Sequence, residues 1–182
     1  MAEEKFWKVL DTKKGFAGNL VDIDLDKVEL PDKSLIEFEA INFHRNCTGV
    51  VAENSEGKVI LVKNYRYIND YYSWEVPAGT IPPDMDHSDC IIEELKEEAG
   101  CEVRRENLRY LGNFYPSIGS SSQIFHCYYA SDVKKITHDI DANEIIEAKW
   151  FSREEIIKMI SDGTIKDGFS LYLLFRWLYL LN

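Results

Sequence analysis

Basic charge is scarce in this chain. Its 182 residues hold 21 lysines and arginines against 32 aspartates and glutamates, a net charge of −11, with a pI near 4.8. That argues against a nucleic-acid backbone or an anionic membrane as the main partner, since both require a basic surface. Cysteine spacing is missing too: Cys47, Cys90, Cys101 and Cys127 include no C-x-x-C pair, so neither a zinc site nor a thioredoxin motif is suggested. Four thiols in a chain this long do not make a secreted disulfide scaffold. They read as mostly buried and reduced, which implies a cytoplasmic protein. His44, His87, His126 and His138 lack zinc spacing and read as surface or core. No apolar run approaches the roughly 20 residues a bilayer span needs. The strongest, Phe169 to Leu181, is interrupted by Arg176 and reads as a buried C-terminal helix. The first ten residues, MAEEKFWKVL, hold no apolar h-region, so no signal peptide is expected. Internal repeats and low-complexity linkers are absent.

What is present is a globular composition, 45% hydrophobic and 29% charged, in a chain long enough for about one domain with a sizeable core. Residues 5–45 hold short alternating runs around a Pro31-Asp32-Lys33 turn and predict a small antiparallel sheet. Thr48 to Ala52 and Lys58 to Asn64, joined by Asn54-Ser55-Glu56-Gly57, predict a hairpin. Tyr71 to Val76 reads as a further strand. Ser88, Ile91, Ile92, Leu95 and Ala99 then recur at helical spacing, with Ser88 or Asp86 as the cap and Gly100 as the stop. Strands are expected at Leu108 to Phe114, Ile124 to Ala130 and Glu147 to Phe151. Ser152-Arg-Glu-Glu is a capping-box pattern that opens a second helix, ending near Asp162-Gly163. Interleaved strands and helices with hairpins in the middle give a mixed α/β class with a largely mixed sheet.

The first helix carries its chemistry on the face opposite its apolar stripe. Glu94, Glu97 and Glu98 lie at i, i+3 and i+4 and share one side, with Glu93 beside them. Like charges at that spacing weaken a helix by a few tenths of a kcal/mol per pair. A hard divalent cation relieves them, and Mg²⁺ commonly takes one or two carboxylates plus substrate phosphates. A solvated acidic face is the plainer use of the same run, and spacing alone does not separate the two.

Context separates them. Gly79, followed at fixed intervals by Glu94, Leu95, Glu97, Glu98, Gly100 and Cys101, resembles the Nudix box, G-x5-E-x7-R-E-U-x-E-E-x-G-U, where U is bulky and apolar. Met85 stands at the first glutamate of that pattern and Glu93 at its arginine. Four further passages resemble the ADP-ribose pyrophosphatase and nucleoside-diphosphate-sugar branch of that family. They are Val62-Lys-Asn-Tyr-Arg-Tyr, Trp74-Glu-Val-Pro-Ala-Gly, Tyr115-Pro-Ser-Ile-Gly, and Asn143-Glu144-Ile leading into Trp150-Phe151-Ser152.

The resemblance implies a Nudix α/β/α sandwich over residues 46–182, with an N-terminal β-subdomain over residues 1–45 that serves dimerisation and substrate contacts. It implies Glu94 and Glu98 as the principal metal ligands, with Glu97 shared or supporting. The Ala78 backbone carbonyl and Glu144 would complete the shell, around Mg²⁺ or Mn²⁺. Glu144 would be a ligand or orient the attacking water, and Glu97 would support the chemistry. Ala142 stands where the family's acid is expected and Asp141 lies one residue away, so the base stays open between Asp141 and Glu144. Gln123 stands where this branch often has glutamate. Arg66 is either a surface ion pair or a bidentate partner for phosphate. Ser117 and Gly119 form an ordinary turn or a substrate loop. Phe16 is either packed or stacked on a base. The implied function is metal-dependent hydrolysis of the pyrophosphate in ADP-ribose or a nucleotide sugar, by a homodimer that engages neither nucleic acid nor membrane. The alternative is a Nudix-fold module that binds a nucleotide without cleaving it, which the departures at Met85, Glu93, Gln123 and Ala142 favour.

Overall fold

Period-two alternation along the central strands assigns their side chains to two different cores. The computed structural model describes residues 6–137 and 139–181, so the expectation for His138 lies outside the described residues. The chain runs β1 (Lys8–Ala17), β2 (Val21–Glu29), β3 (Leu35–Phe43), β4 (Cys47–Ala52), β5 (Val59–Arg66), β6 (Tyr71–Glu75) and β7 (Ala78–Thr80). It continues through α1 (His87–Ala99), β8 (Cys101–Glu102), β9 (Leu108–Phe114), β10 (Phe125–Ala130), β11 (Lys134–Lys135), β12 (Ile145–Phe151), α2 (Arg153–Ser161) and α3 (Gly168–Leu180). Val50, Ala52, Ile60 and Val62 pack with Ile91, Leu95 and Ala99 of α1. Their alternates Val51, Val59 and Leu61 pack with Ile156 of α2 and with Phe169, Leu173, Leu174 and Trp177 of α3. Helices therefore cover both faces of the strands, and the fold is the α/β/α sandwich. Each fully buried Leu, Ile or Val contributes about 1.5–3 kcal/mol, so these two layers hold the molecule together.

Two sheets share the centre, in the orders β7-β4-β10-β9 and β12-β5-β6. β4 and β10 run parallel, from Cys47 opposite Phe125 to Ala52 opposite Ala130, while the other pairs in these sheets are antiparallel. This corrects the expected hairpin. The turn itself forms, with Asn54 Oδ1 accepting from the Glu56 and Lys58 amides at 2.9 and 3.0 Å. After one bridge between Glu53 and Val59, however, β4 and β5 part into different sheets. The reason lies in their composition. Residues 48–52 of β4 and 59–62 of β5 are buried on both faces, and each becomes part of a central strand with two partners of its own.

Helix ends follow local chemistry. Asp86 caps α1 by accepting from the Ser88 amide, and Gly100 ends it in the left-handed region at φ 58°. Position 100 admits only glycine comfortably, because an added Cβ would also strike the Thr137 carbonyl oxygen. Ser152 and Glu155 form the reciprocal capping box at α2. On the far side of the strands, α3 is anchored by the Trp177 indole N–H, which donates to Glu53 Oε2 at 2.7 Å; the Tyr129 hydroxyl donates to the same oxygen at 3.0 Å.

β1, β2 and β3 form a separate antiparallel sheet. It is tied to the body through the Ile41 amide, which donates to the Ser120 carbonyl at 2.9 Å, and the Ser122 amide, which donates back to Ile41 at 3.0 Å. All four cysteines are free, three of them buried. Among the described residues, no helix is long and apolar enough to cross a membrane.

Candidate active site

β7 and α1 meet where the acidic helix face turns inward. The backbone N–H of Ala78 donates to Glu98 Oε2 at 2.9 Å, which fixes that carboxylate against the strand. One turn earlier on the helix, Glu94 lies over Gly79. A Cβ added at Gly79 would overlap the Glu94 carboxylate, so the glycine makes the space that the acid fills. Helical spacing and one missing side chain together place two carboxylates side by side at a strand end.

Both acids are held in conditions that disfavour their charge. Burial pushes Glu98 up to about 8, against the pull of the Ala78 N–H and of Arg66; Glu94 and Glu144 add to the rise. Burial likewise pushes Glu94 up to about 7, with further repulsion from Glu97, Glu144 and Glu93. Desolvation and like charge act in the same direction here. Glu144, on the loop before β12, thus acts on both members of the pair, and Glu97 acts on Glu94.

The donor chemistry suits a hard divalent cation, since every candidate ligand is an oxygen. Among the described residues, no three His, Cys, Asp or Glu side chains are gathered closely enough to hold a metal by themselves. A pair of carboxylates awaiting substrate phosphates is the arrangement Mg²⁺ usually takes.

The remaining candidates fall in three places. Arg66, at the end of β5, engages Glu75 of β6 through Nε at 2.9 Å and through Nη2. Glu75 is 6% exposed, whereas the Arg66 side chain keeps 56% of its surface open. Arg66 is therefore both an ion pair and a guanidinium with a free edge beside the acids. Asp141 braces its own loop, Oδ1 accepting from the Asn143 amide at 2.9 Å and from Asn143 Nδ2 at 3.0 Å. It lines a cavity with Glu93 and Glu97. Ser117 and Gly119 form an exposed turn closed by the Ser117 and Ser120 hydroxyls at 2.6 Å. Phe16 sits half-exposed on β1, its ring against Gly18.

Glu75 was not singled out by the sequence. Its signal was the inward position of a charge on a strand that otherwise holds three aromatic residues and Ser73, and its partner lies across a strand pair where sequence spacing does not reach.

The departures from the box have visible substitutes. Met85 lines a cavity with Asn46, His87 and His126, and Glu93 lines a different one. In place of a pair linking those positions, Arg105 holds the first turn of α1, pairing with Asp89 and donating to the Ser88 hydroxyl at 2.8 Å. Gln123 Nε2 reaches Cys47 Sγ at 3.5 Å. Ala142 is exposed on its loop.

Residues 43–170 match the family model described as NUDIX domain. That match spans more than half of the chain, and the chain belongs to the NUDIX family. A methanol dehydrogenase activator of Bacillus methanolicus is 28% identical to it over 163 residues, 88% of this chain and 86% of that protein. An ADP-ribose pyrophosphatase of Bacillus subtilis (strain 168) is 26% identical over 167 residues, covering 91% and 89%. The crystal structure of an ADP compounds hydrolase matches the fold with a TM-score of 0.83 over 98% of this chain and 97% of its own, at 17% identity.

Proposed function

We propose that this protein hydrolyses the pyrophosphate of a nucleoside diphosphate joined to a second moiety, ADP-ribose or a nucleotide sugar, using Mg²⁺ or Mn²⁺. The products are a nucleoside monophosphate and a sugar phosphate. The observation that carries this reading is the Glu94–Glu98 pair, Glu98 buried and Glu94 half-buried, packed against Ala78 and Gly79. Glu94 and Glu98 would hold the metal, with Glu97, Glu144 and the Ala78 carbonyl in support. When bound, the metal supplies Lewis-acid stabilisation of phosphoryl charge and a more acidic water. Arg66, oriented by Glu75, offers its free edge to phosphate oxygens and stabilises charge that develops on them. Glu144, whose charge reaches both acids, is assigned to orient or deprotonate water, and Asp141 braces the loop that carries it. Ser117, Gly119 and Phe16 are assigned to substrate contacts.

The β1–β3 sheet, within residues 1–45, is assigned to dimerisation and substrate contact. Trp7, Val9, Leu10 and Phe16 are between 45% and 59% exposed there, an apolar surface that a second copy would cover. A cytoplasmic location accords with the four free thiols.

The second reading, nucleotide binding without turnover, draws support from Met85 and Glu93, and the name of the activator from Bacillus methanolicus is compatible with it. Retention of Glu94, Glu98 and Gly79 opposes it, since a pure binder needs no metal pair. Phosphate release decides between them. A panel of ADP-ribose, nucleotide sugars, dinucleoside polyphosphates and nucleoside triphosphates, coupled to a phosphatase with each metal, is expected to show turnover of the first two classes. Silence across the panel from folded protein supports binding alone.

A further inference from the structure

A cavity of about 380 Å³ opens between the turn joining β5 to β6 and the segment leading into α3. It lies at the small end of the roughly 300–1,000 Å³ that small-molecule sites occupy, room for one sugar and too little for a dinucleotide. Its lining includes Tyr65, Arg66, Tyr71, Ser73, Glu75 and Lys166.

Ser73 is 3% exposed, and its hydroxyl has no partner. A buried hydroxyl left unmatched is unusual and unfavourable, and a ligand hydroxyl would satisfy it. Glu75 is similarly buried; it accepts two bonds from Arg66 and a long one of 3.4 Å from Asn64. A carboxylate offers about four acceptor sites, so one remains for a ligand O–H.

The wall is preformed. The Tyr71 hydroxyl donates to the Thr164 carbonyl at 3.2 Å, and Lys166 Nζ lies 4.3 Å from the centre of its ring. The Tyr65 hydroxyl is likewise tied to Asp70 Oδ1 at 2.8 Å. Aromatic faces suit the apolar C–H faces of a pyranose or furanose. Charge selects the same class: Arg66 and Lys166 are balanced by Glu75 and Asp167. A neutral polyol meets a matched environment, whereas a second phosphate or a free cation does not.

Arg66 links this cavity to the acids, because it lines the cavity and also acts electrostatically on Glu98. We propose that the cavity is the subsite for the sugar attached to the diphosphate, an assignment that rests on the pyrophosphohydrolase reading for the identity of its ligand. The Ser73 hydroxyl donates or accepts and the Glu75 carboxylate accepts at the sugar hydroxyls, Tyr71 supports one ring face, and Lys166 closes the rim.

Ligand-detected NMR tests this directly, with mannose 1-phosphate and ribose 5-phosphate as probes and inorganic phosphate as competitor. The expected result is saturation transfer to the sugar ring protons that equimolar phosphate leaves in place. Ser73→Ala and Lys166→Ala are each expected to weaken binding about tenfold, the loss of one hydrogen bond or charged contact. Lys166 is exposed, so its substitution keeps the fold even if Ser73→Ala does not. Sugar binding unchanged in both variants, displaced by phosphate, or absent overturns the subsite. Sugar binding of the expected kind with no hydrolysis of any nucleoside diphosphate derivative overturns the hydrolytic reading while supporting the subsite. Hydrolysis without such binding does the reverse.

Discussion

A methyl group at position 79 would occupy the volume that the Glu94 carboxylate fills. Gly79→Ala therefore moves a proposed metal ligand without touching its chemistry, and a shift of about 1 Å near reacting groups costs about 10²-fold. Steady-state kcat/KM on ADP-ribose is expected to fall by that order while the circular-dichroism spectrum stays native. The raised carboxylates give a second prediction. In the metal-free protein, burial pushes Glu98 up to about 8 and Glu94 up to about 7, against an ordinary value of 4.5. The folded state then binds more protons than the unfolded one between those limits. The stability these groups contribute is full below about pH 4.5 and is lost as pH rises through 7 and 8. With chelator present, Glu98→Gln is expected to gain in thermal stability relative to wild type as pH climbs from 5 to 8. A constant difference across that window would show that Glu98 is not held in its neutral form. Binding of Mn²⁺ at pH 6.5 should release protons, seen as calorimetric heats that depend on buffer ionisation enthalpy. The shared helix face of Glu94 and Glu98 was legible from i, i+4 spacing, and their part as metal ligands only through the resemblance to the Nudix box; the bond from Ala78 to Glu98 and the pairing of Arg66 with Glu75 were not legible, because each joins residues from different elements.

Among the elements, those whose limits are set by local chemistry matched the sequence closely. The Ser-x-x-Glu pattern predicted α2, and both halves of its capping box are present, at 2.7 and 3.3 Å. Ser152→Ala removes one half and is expected to cost about 1 kcal/mol in urea unfolding. α3 is capped by Asp167, which accepts from the Ser170 amide at 2.7 Å, and is held in place by burial. Leu173 is fully buried among Val51, Leu61 and Trp177, so Leu173→Ala should cost about 2–5 kcal/mol in the same assay. Where pairing is long-range, local signals misled. The Asn54–Gly57 turn was legible, yet turn chemistry says only that the chain reverses; it does not say that the two strands stay together. The short strands β8 and β11, which pair Cys101 and Glu102 with Lys135 and Lys134, had no period long enough to read.

For the whole molecule, the excess of negative charge and the exposed apolar side of the first sheet pull in opposite directions. A chain of net charge −11 repels its copies, so self-association needs an apolar interface of roughly 1,200–2,000 Å² in total. Light scattering after size exclusion is expected to give a dimer, and Leu10→Lys, on the exposed β1, a monomer. The mixed α/β class was legible from interleaved strands and helices, and the sandwich through the resemblance to the Nudix box; the sugar cavity was not legible, because it is built from a turn and a distant helix entry. The central claim is that Glu94 and Glu98 form a working metal-dependent site despite Met85 and Glu93. Phosphatase-coupled phosphate release from ADP-ribose and nucleotide sugars, with and without Mg²⁺ or Mn²⁺, in wild type and in Glu98→Gln, tests it most directly. The account predicts turnover that requires the metal and falls at least about 100-fold in the variant. Equal turnover in the two proteins, or none in the folded wild type, would contradict it.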